Sequence, residues 1–303
     1  MISNPPDRTW LVAIAAVLWG TDGLLRLPLA EKLPAATVVF WEHLLVVVVL
    51  SPLIPGAVRA LRRCSPREWL AVAVIGGGSS ALATALFTAA FKLGDPVTPL
   101  VLQKLQPLFV LLAAYFVLGE RLRPGYAVFA LPALIGAWLL AFADPLHIQV
   151  AAVRAALLAV GAAALWAAGT VLGRLVSASL RPREVTVLRF TVGLPVAAFI
   201  VTQQGGSFTV GWNNALGLAL LAFVPGLAAL SLYYIGLRST PAARATLAEL
   251  AFPVTAAVIG VTFLNAHLSG TQWLGLAIVI VSITALGWHE KARVKPMVLE
   301  AVL

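Results

Sequence analysis

Leu102-Gln103-Lys104-Leu105-Gln106-Pro107 and, 146 residues further on, Ala248-Glu249-Leu250-Ala251-Phe252-Pro253 are the stretches that decide the fold. Each is a polar patch closed by a proline inside a long apolar run. Leu18-Trp19 recurs in the same way as Leu165-Trp166, at an offset of 147. A weaker pair, Leu118-Gly119-Glu120-Arg121-Leu122 and Leu264-Asn265-Ala266-His267-Leu268, again lies 146 apart. A chain that repeats itself at half its length points to a duplicated architecture.

The composition says where such runs reside. Of 303 residues, 61% are hydrophobic and 11% charged, whereas a soluble domain carries about 25% charged residues. The mean hydropathy is +0.97. So few charges cannot coat a water-soluble protein of this length, and the chain reads as an all-α integral membrane protein. With charges, prolines and polar clusters as boundaries, ten transmembrane helices are expected, at about 9–27, 35–55, 68–91, 97–118, 124–142, 152–173, 184–202, 212–237, 242–264 and 271–288. The first run is longer than the apolar core of a signal peptide, about 7–15 residues, and is read as a retained span. Connections are short and marked by Pro or Gly, as at Gly94-Asp95-Pro96 and Arg181-Pro182-Arg183.

Ten spans and a duplication give two five-helix units, 1–145 and 146–303. Five is odd, so the repeats are expected to lie upside down relative to each other around a central cavity, with a substrate site near the midplane. An even total puts both termini on one side. Fourteen Lys and Arg residues fall on that side and four, Arg26, Lys32, Lys92 and Arg154, on the other. Positive residues stay cytoplasmic, which places both termini inside. The net charge of +9 is therefore an orientation signal and not a nucleic-acid footprint, because the cations stand in small groups between apolar runs. Cys64 stands alone, permits no intrachain disulfide and faces the reducing side.

Charged side chains inside a span are costly unless they meet a partner or a cavity. Glu42, His43, Lys104, Arg189 and Glu249 occupy such positions. At about 1.5 Å rise per residue, Glu42, His43 and Lys104 are expected about 10 Å below the outer face, and Arg189 and Glu249 about 10 Å above the inner one. The expected pairs are Lys104 with Glu42 or His43, and Arg189 with Glu249. Such pairs either line the pathway or only fix helix packing, and both remain open here. Glu42 and Arg189 are repeat equivalents at offset 147, so the duplication exchanged the sign of charge. Asp22 and Arg26, at i, i+4, read as a pair near the outer rim.

Gln103 and Gln106 share one stripe of their helix, either facing the pathway or bonding to a neighbouring helix. Pro107 and Pro253 each remove the hydrogen bond to the carbonyl four residues back, that of Gln103 or Glu249, and are expected to kink their helices. A freed carbonyl with Glu249 or Glu42 suits an ammonium group, and Lys104 a carboxylate, which together are the needs of an amino acid. Trp19, Phe87, Trp166 and Tyr233, with Trp41 and Tyr234, are candidate walls for an aromatic or apolar side chain. Trp10, Trp69, Trp212 and Trp288 fit an interfacial belt. Gly76-Gly77-Gly78-Ser79-Ser80-Ala81 reads as a place of close helix approach, with Gly76, Ser80 and Ala83 on one stripe, and not as a phosphate loop, for no Lys-Ser/Thr comes after it.

Two five-span halves, each with a Trp in its first helix and a Pro within its fourth, and the segment Pro107 to Arg121 ending Leu-Gly-Glu-Arg, resemble the drug/metabolite transporter superfamily and its EamA-type repeat. Within it the chain is most similar to bacterial YddG-type exporters of aromatic and other amino acids. The second half departs from the pattern, with Leu264-Asn265-Ala266-His267 where Leu-Gly-Glu-Arg is usual, so no symmetrical role is assigned to Glu120. The resemblance implies a monomeric secondary transporter of the bacterial inner membrane. It would export small metabolites, amino acids including aromatic ones, by alternating access, with no cofactor, metal or nucleic-acid partner. A proton-coupled drug or organic cation exporter of the same superfamily is the alternative. An intramembrane enzyme stands behind both: no Gly-x-Ser-x-Gly, Cys/His cluster or pair of in-span aspartates occurs, and His289-Glu290 lacks a second His at i+4. The substrate-binding residues expected are Glu42, His43, Gln103, Lys104, Gln106, Trp166, Glu249, Trp19, Phe87 and Tyr233.

Overall fold

A computed structural model describes residues 8–93, 97–118, 127–141, 144, 150–176, 179–237, 248, 251–265 and 267–294. Among the described residues every regular element is helical. In the first half, α1 spans Trp10–Lys32, α2 Ala35–Leu61 and α3 Pro66–Ala90. α4 (Val97–Leu102) and α5 (Gln106–Leu118) are joined through one tight 3₁₀ turn, Gln103–Leu105, and α6 covers Ala127–Ala141. The second half holds α7 (Val150–Val176), α8 (Pro182–Gln203), α9 (Trp212–Tyr233), α10 (Ala251–Phe263) and α11 (Gly270–Val294). Six of these, α1 to α3 and α7 to α9, contain stretches long and apolar enough to cross a membrane by length and composition. Helices suit that setting because each satisfies its own backbone polar groups.

Local chemistry starts two of the long helices in the same way. At α3 the Ser65 hydroxyl accepts from the Glu68 N–H, the Glu68 carboxylate accepts from the Ser65 N–H at 2.7 Å, and Pro66 takes the first turn. At α8 the Glu184 carboxylate accepts from the Arg181 N–H at 2.7 Å, again with Pro182 at the start. Proline loses nothing at a position whose N–H has no partner within the helix, and a glutamate three residues past the cap returns to satisfy the cap's own donor.

The helices pack by exchange between the halves. α1 lies on α9 and α10, while its repeat counterpart α7 lies on α3 and α5. α2 packs on α8, and α6 along α11. The backbone carries a second correspondence: α3 is π-helical over Val74–Leu82 and α9 over Ala222–Ala228, equivalent places in the two repeats. The close helix approach expected of this run is present, with Gly76 and Ser80 both meeting α8, and it is made through a π segment, which inserts extra residues and rotates the turns beyond it. The cause is steric. A Cβ on Gly76 would fall 2.6 Å from the Val192 Cβ, so α3 approaches α8 through its backbone, and in α9 Pro225 interrupts the ordinary ladder.

Gly169 of α7 plays the same role against the other side of that π segment, since a Cβ there would overlap the Ser79 side chain. Gly169→Val is expected to destabilise the protein by about 1–3 kcal/mol, the cost of overpacking, read as an earlier thermal transition in detergent. Gly56→Val, at a position with nothing within 4 Å, should leave the transition in place.

Candidate functional site

Where α1, α2 and α3 of the first half face α7, α8 and α9 of the second, they enclose a cavity of about 240 Å³. Its charged wall is built by Asp22 and Arg26 of α1 and Glu42 of α2. Arg26 is 3% exposed, and all five of its N–H groups are used. Nε and Nη2 donate to Asp22, Nη2 and Nη1 to the two oxygens of Glu42 at 2.9 Å each, and Nη1 to the Thr88 hydroxyl at 2.7 Å. Its guanidinium carbon lies 5.7 Å from the centre of the Phe87 ring. Bidentate charge-assisted bonds of this kind are the strong ones, and they leave this arginine nothing further to donate.

A second polar chain crosses from α8 to α2. Arg189 Nε donates to the Ser80 hydroxyl at 3.2 Å, and Ser80 Oγ stands 2.9 Å from His43 Nε2. His43 Nδ1 lies 2.8 Å from the Val39 carbonyl, which can only accept, so Nδ1 carries a proton, and Nε2 shares a hydrogen bond with the Ser80 hydroxyl. Gly193 makes room for this chain: a Cβ there would sit 2.7 Å from the imidazole.

The aromatic walls are paired. Trp19 of α1 packs on Tyr233 of α9 with ring centres 5.0 Å apart, and Trp166 of α7 packs on Phe87 of α3 at 5.1 Å. Trp19 and Trp166 are repeat mates, and so are Phe87 and Tyr233, at offset 146. Each pair thus joins a residue of one half to a residue of the other. Gln106 extends the polar lining, donating to the Thr170 hydroxyl at 3.1 Å, and Gln103 lies beside it on the wall.

The cavity brings together Glu42, His43, Gln103, Gln106, Trp19, Phe87, Trp166 and Tyr233. Glu249 lies outside the described residues. Lys104 belongs to the 3₁₀ turn, its side chain outside the description, and the same holds for the rings of Pro107 in α5 and Pro253 in α10. Several expected relations are corrected. Glu42 pairs with Arg26, whereas its expected pairing with Lys104 falls on a side chain outside the description. The expected pair of Asp22 and Arg26 is present, buried and not at a helix end, because α1 continues through Pro28 to Lys32 and leaves Arg26 nearly two turns inside it. Arg189 meets the chain of His43, although a straight-helix ruler sets the two about 10 Å apart along the membrane normal; a long side chain and a π segment close that gap. Trp41 stays outside the cavity, its Nε1 donating to the Phe208 carbonyl at 2.8 Å. The Tyr234 side chain is not described. Ser79, Ser80, Thr84, Thr170, Phe190 and Phe252 also line the space; of these, only Ser79-Ser80, next to the glycine run, and Phe252, in the repeated stretch before Pro253, carried any signal in the sequence. Beyond the span of α3, Lys92 donates to the Leu33 carbonyl at 2.8 Å, and partial burial holds its pKa below the usual lysine value.

The model of the EamA-like transporter family matches this chain twice, over residues 9–142 and 153–288. The chain belongs to the EamA-like transporter family. With six membrane-length helices among the described residues it is a multi-pass membrane protein. This EamA-like chain is 33% identical over 285 residues to the riboflavin transporter ImpX of Fusobacterium nucleatum, covering 90% of this chain and 95% of that protein. It is 26% identical to the uncharacterized transporter YwfM of Bacillus subtilis, covering 91% and 92%. Against a probable amino-acid metabolite efflux pump of Escherichia coli it is 25% identical, covering 69% and 75%. A solved crystal structure, 24% identical, shares the fold with a TM-score of 0.62 over 95% of this chain and 98% of that one.

Removing Arg26 strands two buried carboxylates. Arg26→Met is expected to cost about 3–5 kcal/mol, as for a broken buried ion pair, seen as loss of the monodisperse peak on size exclusion after mild heating. Asp22→Asn keeps Arg26 against Glu42 and should be much milder; equal losses would show that Asp22 carries as much of the network as Arg26.

Proposed function

We propose that this EamA-like protein is a secondary transporter that exports small aromatic metabolites, amino acids among them, from the cytoplasm by alternating access through the cavity between its halves. The observation that carries this reading is the crossed aromatic pairing, Trp19 on Tyr233 and Trp166 on Phe87, around a pocket that also holds opposite charges. Flat rings offer a flat substrate stacking surfaces on two sides, and the charged groups fix its orientation. Glu42, His43, Gln103, Gln106, Trp19, Phe87, Trp166 and Tyr233 are the substrate-binding residues in this reading, with Lys104 and Glu249 joining them from the fourth helices of the two repeats. The relative named as an amino-acid metabolite efflux pump supports the substrate class and the direction.

The same reading takes the chain as ten spans in two inverted units, 1–145 and 146–303, acting as a monomer in the bacterial inner membrane with both termini in the cytoplasm. The exchanged contacts of α1 and α7 and the matched π segments support two units related by pseudosymmetry, and the cationic residues support the orientation. Rocking one unit against the other would expose the midplane cavity to each side in turn.

Riboflavin, a flat heterocycle with polar edges, is the second substrate reading, favoured by the similarity to ImpX. Purified protein in liposomes, assayed for counterflow with phenylalanine, tryptophan and riboflavin, separates the two. Saturable counterflow of an aromatic amino acid is expected, and flux of riboflavin alone would move the assignment to the second reading. Trp166→Ala and Trp19→Ala should each raise KM about 2–10-fold, the worth of one aromatic contact; an unchanged KM in both would remove the stacking walls from the site.

A further inference from the structure

The two arginines on the cavity wall differ in what they still have to offer. Arg26 has spent all five N–H groups on Asp22, Glu42 and Thr88. Arg189 also lines the cavity, yet among the described residues its guanidinium makes one hydrogen bond, from Nε to Ser80, and no carboxylate pairs with it. Among the described residues Nη1 and Nη2 are neither bonded nor buried donors lacking a partner, on a residue that lines the cavity. A planar fork with parallel N–H groups matches the two oxygens of a carboxylate. Charge agrees with shape. Asp22, Arg26 and Glu42 sum to one negative charge, Arg189 supplies one positive, and the cavity therefore offers an acidic and a basic wall.

We propose that Arg189 is the residue that selects a carboxylate on the substrate, gripping it bidentately through Nη1 and Nη2. This inference rests on the aromatic-metabolite reading and narrows it to anionic or zwitterionic aromatics. Ser80 and His43 act as positioning residues. The ordered chain from Arg189 through Ser80 and His43 to the Val39 carbonyl pins Nε, and Nε at one end of the guanidinium determines where the fork at the other end points. Gly193, by admitting the imidazole, is part of the same strut. The aromatic ring of the substrate would lie between the Trp19 and Trp166 walls. Its ammonium group, where present, would face the Asp22 and Glu42 side.

The test uses matched probes that differ only at the carboxylate: phenylalanine and phenylalaninamide, competing for binding to the purified full-length protein in nanodiscs, with riboflavin as a neutral aromatic reference. Wild type is expected to prefer phenylalanine over its amide by about 10–100-fold, the range for a charge-assisted hydrogen-bonded pair. Arg189→Gln should abolish that preference while leaving affinity for the amide within about threefold, and Arg189→Lys, with charge but no fork, should fall between. Ser80→Ala and His43→Gln should shrink the preference without erasing it, a readout that a merely structural role would not move. Thermal transitions close to wild type identify variants that fold, and Ser80→Ala keeps the test alive if Arg189→Gln does not. Equal binding of phenylalanine and its amide by wild type, or full discrimination in folded Arg189→Gln, overturns the proposal. If only riboflavin binds, Arg189 loses this role while the aromatic site stands; if no aromatic probe binds at all, the aromatic reading itself fails.

Discussion

Arg26 sits in the middle of an apolar bundle, and a guanidinium there cannot be neutralised by losing its proton. It must instead be surrounded. The surroundings it finds are two carboxylates and a hydroxyl from three helices, α1, α2 and α3, and every N–H has its acceptor. Desolvating three charges is expensive, and the attraction between them offsets this only when the geometry is good. That requirement fixes the rotation of α1 and α2 about their axes and the depth at which they meet α3. Once these helices are set, the faces they present to the second half are set too.

The second constraint is close approach between helices that have no hydrophobic drive to associate in lipid. Packing and small residues take over that task. Gly76, Gly169 and Gly193 each stand where a methyl group would collide with Val192, Ser79 or His43, so α3, α7 and α8 converge on the π segment of α3. The π segment sets Ser79 against α7 and Ser80 between α2 and α8, at the edge of the cavity. Ser80 becomes the junction of the polar chain because this backbone geometry brings its hydroxyl within reach of both Arg189 and His43.

Duplication supplies the remainder. Each tryptophan of a Leu-Trp pair finds, on the opposite half, the repeat mate of the ring its counterpart finds. The charges break this symmetry: the position of Glu42 in one half is Arg189 in the other. A cavity lined by related rings but opposite charges treats the two ends of a bound molecule differently.

The membrane class, the repeat and part of the cavity wall were legible in the sequence, because hydrophobic run length, a fixed offset of about 147 residues and the cost of polar groups inside apolar runs are local or periodic signals. Gln103, Gln106, Trp19, Trp166, Phe87, Tyr233, Glu42 and His43 could all be picked out in that way. Of the charge pairs, only Asp22 with Arg26, at i, i+4, could be read in advance. Depth alone pairs Glu42 with a polar helix at the same level, whereas its partner is Arg26, which reads as a loop-side cation because Pro28 is a usual place for a helix to end. The meeting of Arg189 with Ser80 and His43 depends on a π segment and on three glycines that let helices approach, and both are outcomes of packing. Depth along a straight helix is written in residue number; rotation about its axis, reach of a side chain and distance to a neighbour are decided only when the helices pack.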